Sequence, residues 1–183
     1  RLIPGLCIWR PCDAVETATA WKYAIEHNNG PTCLILTRQK VSAQQRSLQT
    51  ISEIKRGGYI LLDSTEKADC IIIATGSEID LAIRAEAKLR ELGKNIRIVS
   101  MPSVDVFEQQ DEAYREYVLP RSISSRVAIE AGVPDTWYKY INNNGQVIGI
   151  KRFGDSAPEQ ELFKTMGFSV ENVVKTVLEV LHP

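Results

Sequence analysis

Residues 32–37, TCLILT, are apolar at consecutive rather than alternate positions. A strand of that kind needs cover on both faces, which is the situation inside a parallel sheet flanked by helices. Apolar runs of strand length recur at LCIWR (6–10), GYILLD (58–63), DCIIIAT (69–75), RVAIEAG (126–132) and QVIGI (146–150). Helix-start signals fall between them. Asp13 with Glu16 three residues on is a capping-box pattern, in which each side chain satisfies a free backbone N–H. It predicts a helix over 14–27 with Val15, Ala18, Trp21 and Ile25 on one face. Asn28-Asn29-Gly30-Pro31 should end it, with Gly30 in the left-handed cap and Pro31 unable to continue. This strand–helix–strand unit places Arg10 and Arg38 at one sheet edge, the edge where open α/β sheets take ligands.

From Gln39 to Arg56 the periodicity is lost, and the segment reads as a linker with one helical turn near 48–54. Regular alternation then resumes. Ser77 opens a helix that Gly93 closes. Residues 96–101 form a strand ended by Pro102, and helical turns lie between Val104 and Val118. WYKYI reads as a short helix, Ser156 with Glu159 caps a helix reaching about Met166, and Ser169 caps the last one. In that last helix Val170, Val173, Val174, Val177, Leu178 and Leu181 recur at helical spacing. About five strands with helices between them predict an α/β fold: a mostly parallel twisted sheet with helices on both faces.

A net charge of −1 gives no general attraction to nucleic acid or to an anionic membrane. No window holds the roughly 18 apolar residues needed to span a bilayer. The N-terminus, RLIPGLCIWRPCD, lacks a signal-peptide layout. Cys7, Cys12, Cys33 and Cys70 show no metal-ligand spacing and only His27 and His182 could join them, so no zinc set is at hand. A Cys7–Cys12 disulfide is left open, with reduced cytosolic thiols as the default. The chain opens at Arg1 rather than methionine, so the natural protein is expected to be longer.

Most tempting motifs have an ordinary explanation. Thr75-Gly76-Ser77-Glu78 is a strand-to-helix turn with one glycine, where a dinucleotide fingerprint needs three. The 153–159 stretch, FGDSAPE, reads as a helix start. Glu130 ends an apolar strand and reads as a hydrogen-bonded structural carboxylate. Trp137, Tyr138 and Tyr140 read as interface packing, and His27 as a cation favoured at a helix C-terminus. Arg38 differs. It follows an apolar strand on the ligand edge, and its guanidinium is a planar fork of donors matched to phosphate or carboxylate, which leaves two readings from position alone: recognition of such a ligand, or a structural salt bridge.

Taken together, WRPCDAVETATAWKYAI, GPTCLILTRQK, RGGYIL, IIIATGSEIDLA, IRIVSMPSVDVF, YREYVLP, RVAIEAG and FGDSAP resemble, in order, the C-terminal part of transketolases. These are thiamine-diphosphate enzymes that move two-carbon ketol units between sugar phosphates. The resemblance covers essentially the whole chain. It implies that 1–42 is the tail of a pyrimidine-binding domain, 43–57 a linker, and 58–183 a Rossmann-like, three-layer C-terminal domain. It makes Arg38 the arginine that binds the substrate phosphate. Thr37 stands where the family commonly has serine, and Lys40 where it has asparagine. Thiamine diphosphate and Mg2+ belong to the full-length enzyme, a cytoplasmic homodimer, and their ligands are absent here. The resemblance therefore gives this chain no catalytic, cofactor or metal residue and predicts that alone it is inactive. The other reading is a non-catalytic assembly or regulatory module, with a nucleotide near Gly76.

Overall fold

The computed structural model describes residues 1, 3–141 and 143–182. The chain opens with β1 (Cys7–Trp9), α1 (Ala14–Glu26) and β2 (Thr32–Leu34). β1 and β2 pair in parallel as a two-stranded sheet. Next come α2 (Leu48–Glu53), a 3-10 turn over Ile54–Arg56, β3 (Tyr59–Leu62), β4 (Cys70–Ala74), α3 (Glu78–Glu91) and β5 (Ile96–Ser100). The rest is α4 (Val104–Glu108), α5 (Glu112–Val118), β6 (Arg126–Ile129), a 3-10 turn over Pro134–Trp137, β7 (Gln146–Ile148), α6 (Glu159–Thr165) and α7 (Val170–Leu181).

The second sheet runs β3-β5-β4-β6-β7. All its neighbours are parallel except β3, which lies antiparallel on β5. β4 is the central strand and is buried throughout. Successive side chains of a strand point to opposite faces, and the two faces carry separate cores. Ile72 and Ala74 join α3 and α7 on one face, through Leu89, Val173 and Val177. Ile71 and Ile73 join Phe107, Val118 and Trp137 on the other. The expected three layers are present. A smaller cluster of Cys7, Trp9, Ala20, Ile54, Tyr59 and Val106 ties the N-terminal unit to this domain.

Several local expectations need correcting. Only Thr32–Leu34 of the 32–37 run is strand, and among the described residues it has β1 as its one neighbour. Ile35 and Leu36 lie about half exposed, so the run is not covered on both faces. The face expected to pack on α1 is open too: Trp21 is 54% and Ile25 75% exposed, while Glu16 and Ala20 are the buried positions. Gly30 has no positive φ. It is needed because a Cβ there would lie 2.6 Å from the Gly5 carbonyl oxygen. Ser77 sits at the N-cap of α3 without a side-chain cap bond, its hydroxyl donating instead to Glu78. Ser156 does not cap α6, which opens at Pro158 with no side-chain cap. The short helical turn expected at WYKYI lies a little earlier, at Pro134–Trp137. All four cysteines are free thiols, so Cys7 and Cys12 are not bridged.

Candidate functional site

Arg38 lies four residues past the end of β2, in a bend, and is exposed. It does not follow a buried strand directly. The segment that carries it is nevertheless fixed at both ends. Upstream, the Ile35 N–H donates to the Trp9 carbonyl at 2.8 Å. Downstream, the Gln44 N–H donates to the Asp13 carboxylate at 3.0 Å. Between these anchors the Arg38 guanidinium makes no hydrogen bond or ion pair among the described residues. Gln39 and Lys40 line a cleft of about 700 Å3 whose far walls include Ser77, Arg84, Lys164 and Ser169.

Arg10, at the same edge, has the opposite environment. Its main chain is stitched to the C-terminal ends of two strands: its N–H donates to Pro102 after β5, and its carbonyl accepts from Gly76 after β4. Its guanidinium meets Glu130 at 2.7 Å and Glu78 at 3.1 Å. Glu130 also accepts from Arg1 at 2.5 Å and from the Trp137 indole N–H at 2.7 Å. Burial pushes the Glu130 carboxyl up, but the Arg1 hydrogen bond and the Arg1 and Arg10 charges outweigh it and hold it below its ordinary range. The reading of Glu130 as a hydrogen-bonded carboxylate is thus supported, and its partners are named.

A second buried cluster lies on the other side of the N-terminal unit. Glu16 accepts from Tyr59 Oη at 2.7 Å, Ser100 Oγ at 2.6 Å and the Cys12 N–H at 2.7 Å. Arg46 Nη1 meets Asp13 at 2.6 Å, and its Nε donates to Tyr59. Desolvation, with Glu16 and Asp13 nearby, pushes the Cys12 thiol up, so it stays protonated and chemically quiet. The sequence signalled Asp13 and Glu16 only as a cap. The cap is made, since the Glu16 N–H donates to Asp13 Oδ1. The partners of the Glu16 carboxylate at positions 59 and 100 are distant in sequence, and no local pattern announces them. Arg46 was hidden in the polar linker for the same reason.

The nucleotide reading at Gly76 meets a turn already occupied by Arg10 and its carboxylate partners. A Cβ at Gly76 would lie 3.3 Å from the Arg10 guanidinium, so that space is taken. The fully buried carboxylate beside it is Glu78, which would repel a phosphate. Among the described residues no group of three or more His, Cys, Asp or Glu side chains is placed to hold a metal ion. No helix among the described residues is long and apolar enough to cross a membrane.

Comparison with known proteins bears on the family and the fold. Residues 57–169 match the family described as the transketolase-like C-terminal domain, and residues 1–44 match the transketolase pyrimidine-binding domain. Transketolase 2 of Aliivibrio fischeri is 54% identical over 181 residues, which are 99% of this chain and 27% of that protein. Transketolase 1 of Escherichia coli is 50% identical over the same shares. A Pichia stipitis transketolase in complex with sedoheptulose 7-phosphate superposes with a TM-score of 0.89 at 36% identity, over 99% of this chain and 26% of that one. The Leishmania mexicana enzyme gives 0.88 at 37% identity, over 97% and 25%. The chain thus spans about a quarter of the length of the relatives it matches. With a family match across more than half its length and the same α/β architecture, it belongs to the transketolase family.

Proposed function

We propose that this chain supplies the substrate-phosphate arginine and a structural domain to a transketolase, an enzyme that transfers a two-carbon ketol unit from a ketose phosphate to an aldose phosphate. Residues 1–42 form the tail of the pyrimidine-binding domain, 43–57 the linker, and 58–183 the C-terminal domain. The observation that carries this reading is Arg38: a cation without a partner among the described residues, held between two fixed points of the chain. A phosphate would complete its donors with charge-assisted contacts. The sugar phosphate bound by the Pichia stipitis relative supports the same chemistry.

Thiamine diphosphate and Mg2+ carry the bond making and breaking in such an enzyme, and we assign their ligands to parts of the protein outside these residues. In this reading further chain of the longer protein covers the exposed side chains of Trp21, Ile25, Ile35 and Leu36. The full-length enzyme is a cytoplasmic homodimer in this reading. Calorimetry tests the division of labour. The 183-residue chain titrated with millimolar thiamine diphosphate and Mg2+ should give no saturable heat, and should show no ketol transfer, while the full-length protein gives both. A saturable isotherm for the short chain would contradict the assignment.

A further inference from the structure

In the five-stranded sheet the chain runs outward in one direction from β4 to β5 and in the other from β6 to β7. The crevice beyond the C-terminal ends of β4 and β6 is therefore the topological switch point, where open α/β sheets place their ligands. Here that crevice is already filled. Glu78 opens α3 immediately after the β4 turn, and Glu130 directly follows β6. Their side chains are at most 5% exposed, and both face the guanidinium of Arg10, which arrives from β1. The main chain of Arg10 is fixed as well: the Gly76 N–H and the Thr75 hydroxyl both donate to its carbonyl, at 3.1 and 3.3 Å. Glu78 is held in turn by the Ala131 N–H at 3.1 Å, and Glu130 by Trp137 and by a second guanidinium, that of Arg1 at 2.5 Å, which stays on Glu130 when Arg10 is removed while Glu78 loses its arginine.

We propose that the switch-point crevice of the C-terminal domain is a guanidinium-binding site occupied in cis by Arg10. The bound arginine docks the N-terminal unit onto the domain. Two carboxylates with their backs hydrogen-bonded form a fork-shaped acceptor that suits a planar guanidinium better than a compact ammonium. The same charges bar phosphates, so this sheet edge serves as a docking port for an arginine and not as a nucleotide site. The proposal concerns this chain's own stability and stands independently of the sugar-phosphate reading.

The test is chemical rescue of Arg10→Ala in the 183-residue chain. Removing one partner of a buried pair should lower the melting temperature by roughly 6–20 °C. Guanidinium sulfate at about ten times its dissociation constant should return roughly 3–6 °C of that, while ammonium sulfate and sodium sulfate at equal ionic strength return less than half as much. In Arg10→Ala combined with Glu130→Gln the guanidinium effect should vanish. If Arg10→Ala does not fold unaided, folding on addition of guanidinium sulfate alone supports the proposal. If it folds under none of these salts, Arg10→Lys is measured instead. A melt lowered by several degrees supports the fork, and a melt equal to that of the unsubstituted chain overturns it. Equal recovery by ammonium, or recovery that survives loss of Glu130, also overturns the proposal.

Discussion

Glu130 couples stability to pH. Its carboxyl is held below the ordinary value of 4.5, with burial opposing and the Arg1 and Arg10 contacts prevailing. A carboxyl depressed in the folded state stabilises fully above its unfolded pKa, and that contribution is lost as pH falls through the folded value. Asp13, depressed by Arg46 and two backbone N–H groups against its own burial, acts in the same direction. Thermal melts of Glu130→Gln should therefore start lower at pH 7 and then fall less steeply than those of the unsubstituted chain from about pH 4.5 downward. Parallel curves would mean that Glu130 carries no such linkage. The sequence marked Glu130 as structural because it ended an apolar strand without a visible partner. It could not identify Arg10, because 120 residues separate the two.

Among the elements, legibility followed whether the apolar face that an element presents is covered by described residues. In α7 the residues at helical spacing pack as read: Val170, Val173 and Val177 are buried against the α3 face. In α1 the same reasoning chose Val15, Ala18, Trp21 and Ile25, all of them exposed. The periodicity is real, but no described residue covers that face. The opposite side of α1 docks through the polar cluster around Glu16. Caps separate along similar lines. Ser169 Oγ accepts from the Asn172 N–H at 3.2 Å, and Ser169→Ala should cost about 1 kcal/mol, roughly 2–4 °C in a thermal melt. Ser156→Ala, at a residue that caps nothing, should leave the melt unchanged. Equal effects of the two substitutions would sink this account of the caps.

For the molecule as a whole, the layered sheet was readable because its strands and the helices α3 and α7 announce themselves locally, and the ordered set of segments pointed to the family. How the N-terminal unit docks was not readable, since it depends on Arg10, Arg46 and Glu16 meeting groups far along the chain. Docking is also what gives Arg38 its proposed function: a segment fixed at Ile35 and Gln44 presents a cation with no hydrogen bond or ion pair among the described residues. The most direct test is steady-state kinetics of Arg38→Ala in the full-length enzyme, with a phosphorylated and an unphosphorylated ketose donor and a thermal melt of the same variant. Loss of a charge-assisted contact costs roughly 1.5–3 kcal/mol, so KM for the phosphorylated donor should rise about ten- to a hundredfold. The unphosphorylated donor should be little affected and the melting temperature unchanged, and Arg38→Lys should recover only part of the loss. Equal losses on both donors, accompanied by a lowered melting temperature, would contradict the phosphate clamp and make Arg38 a structural residue.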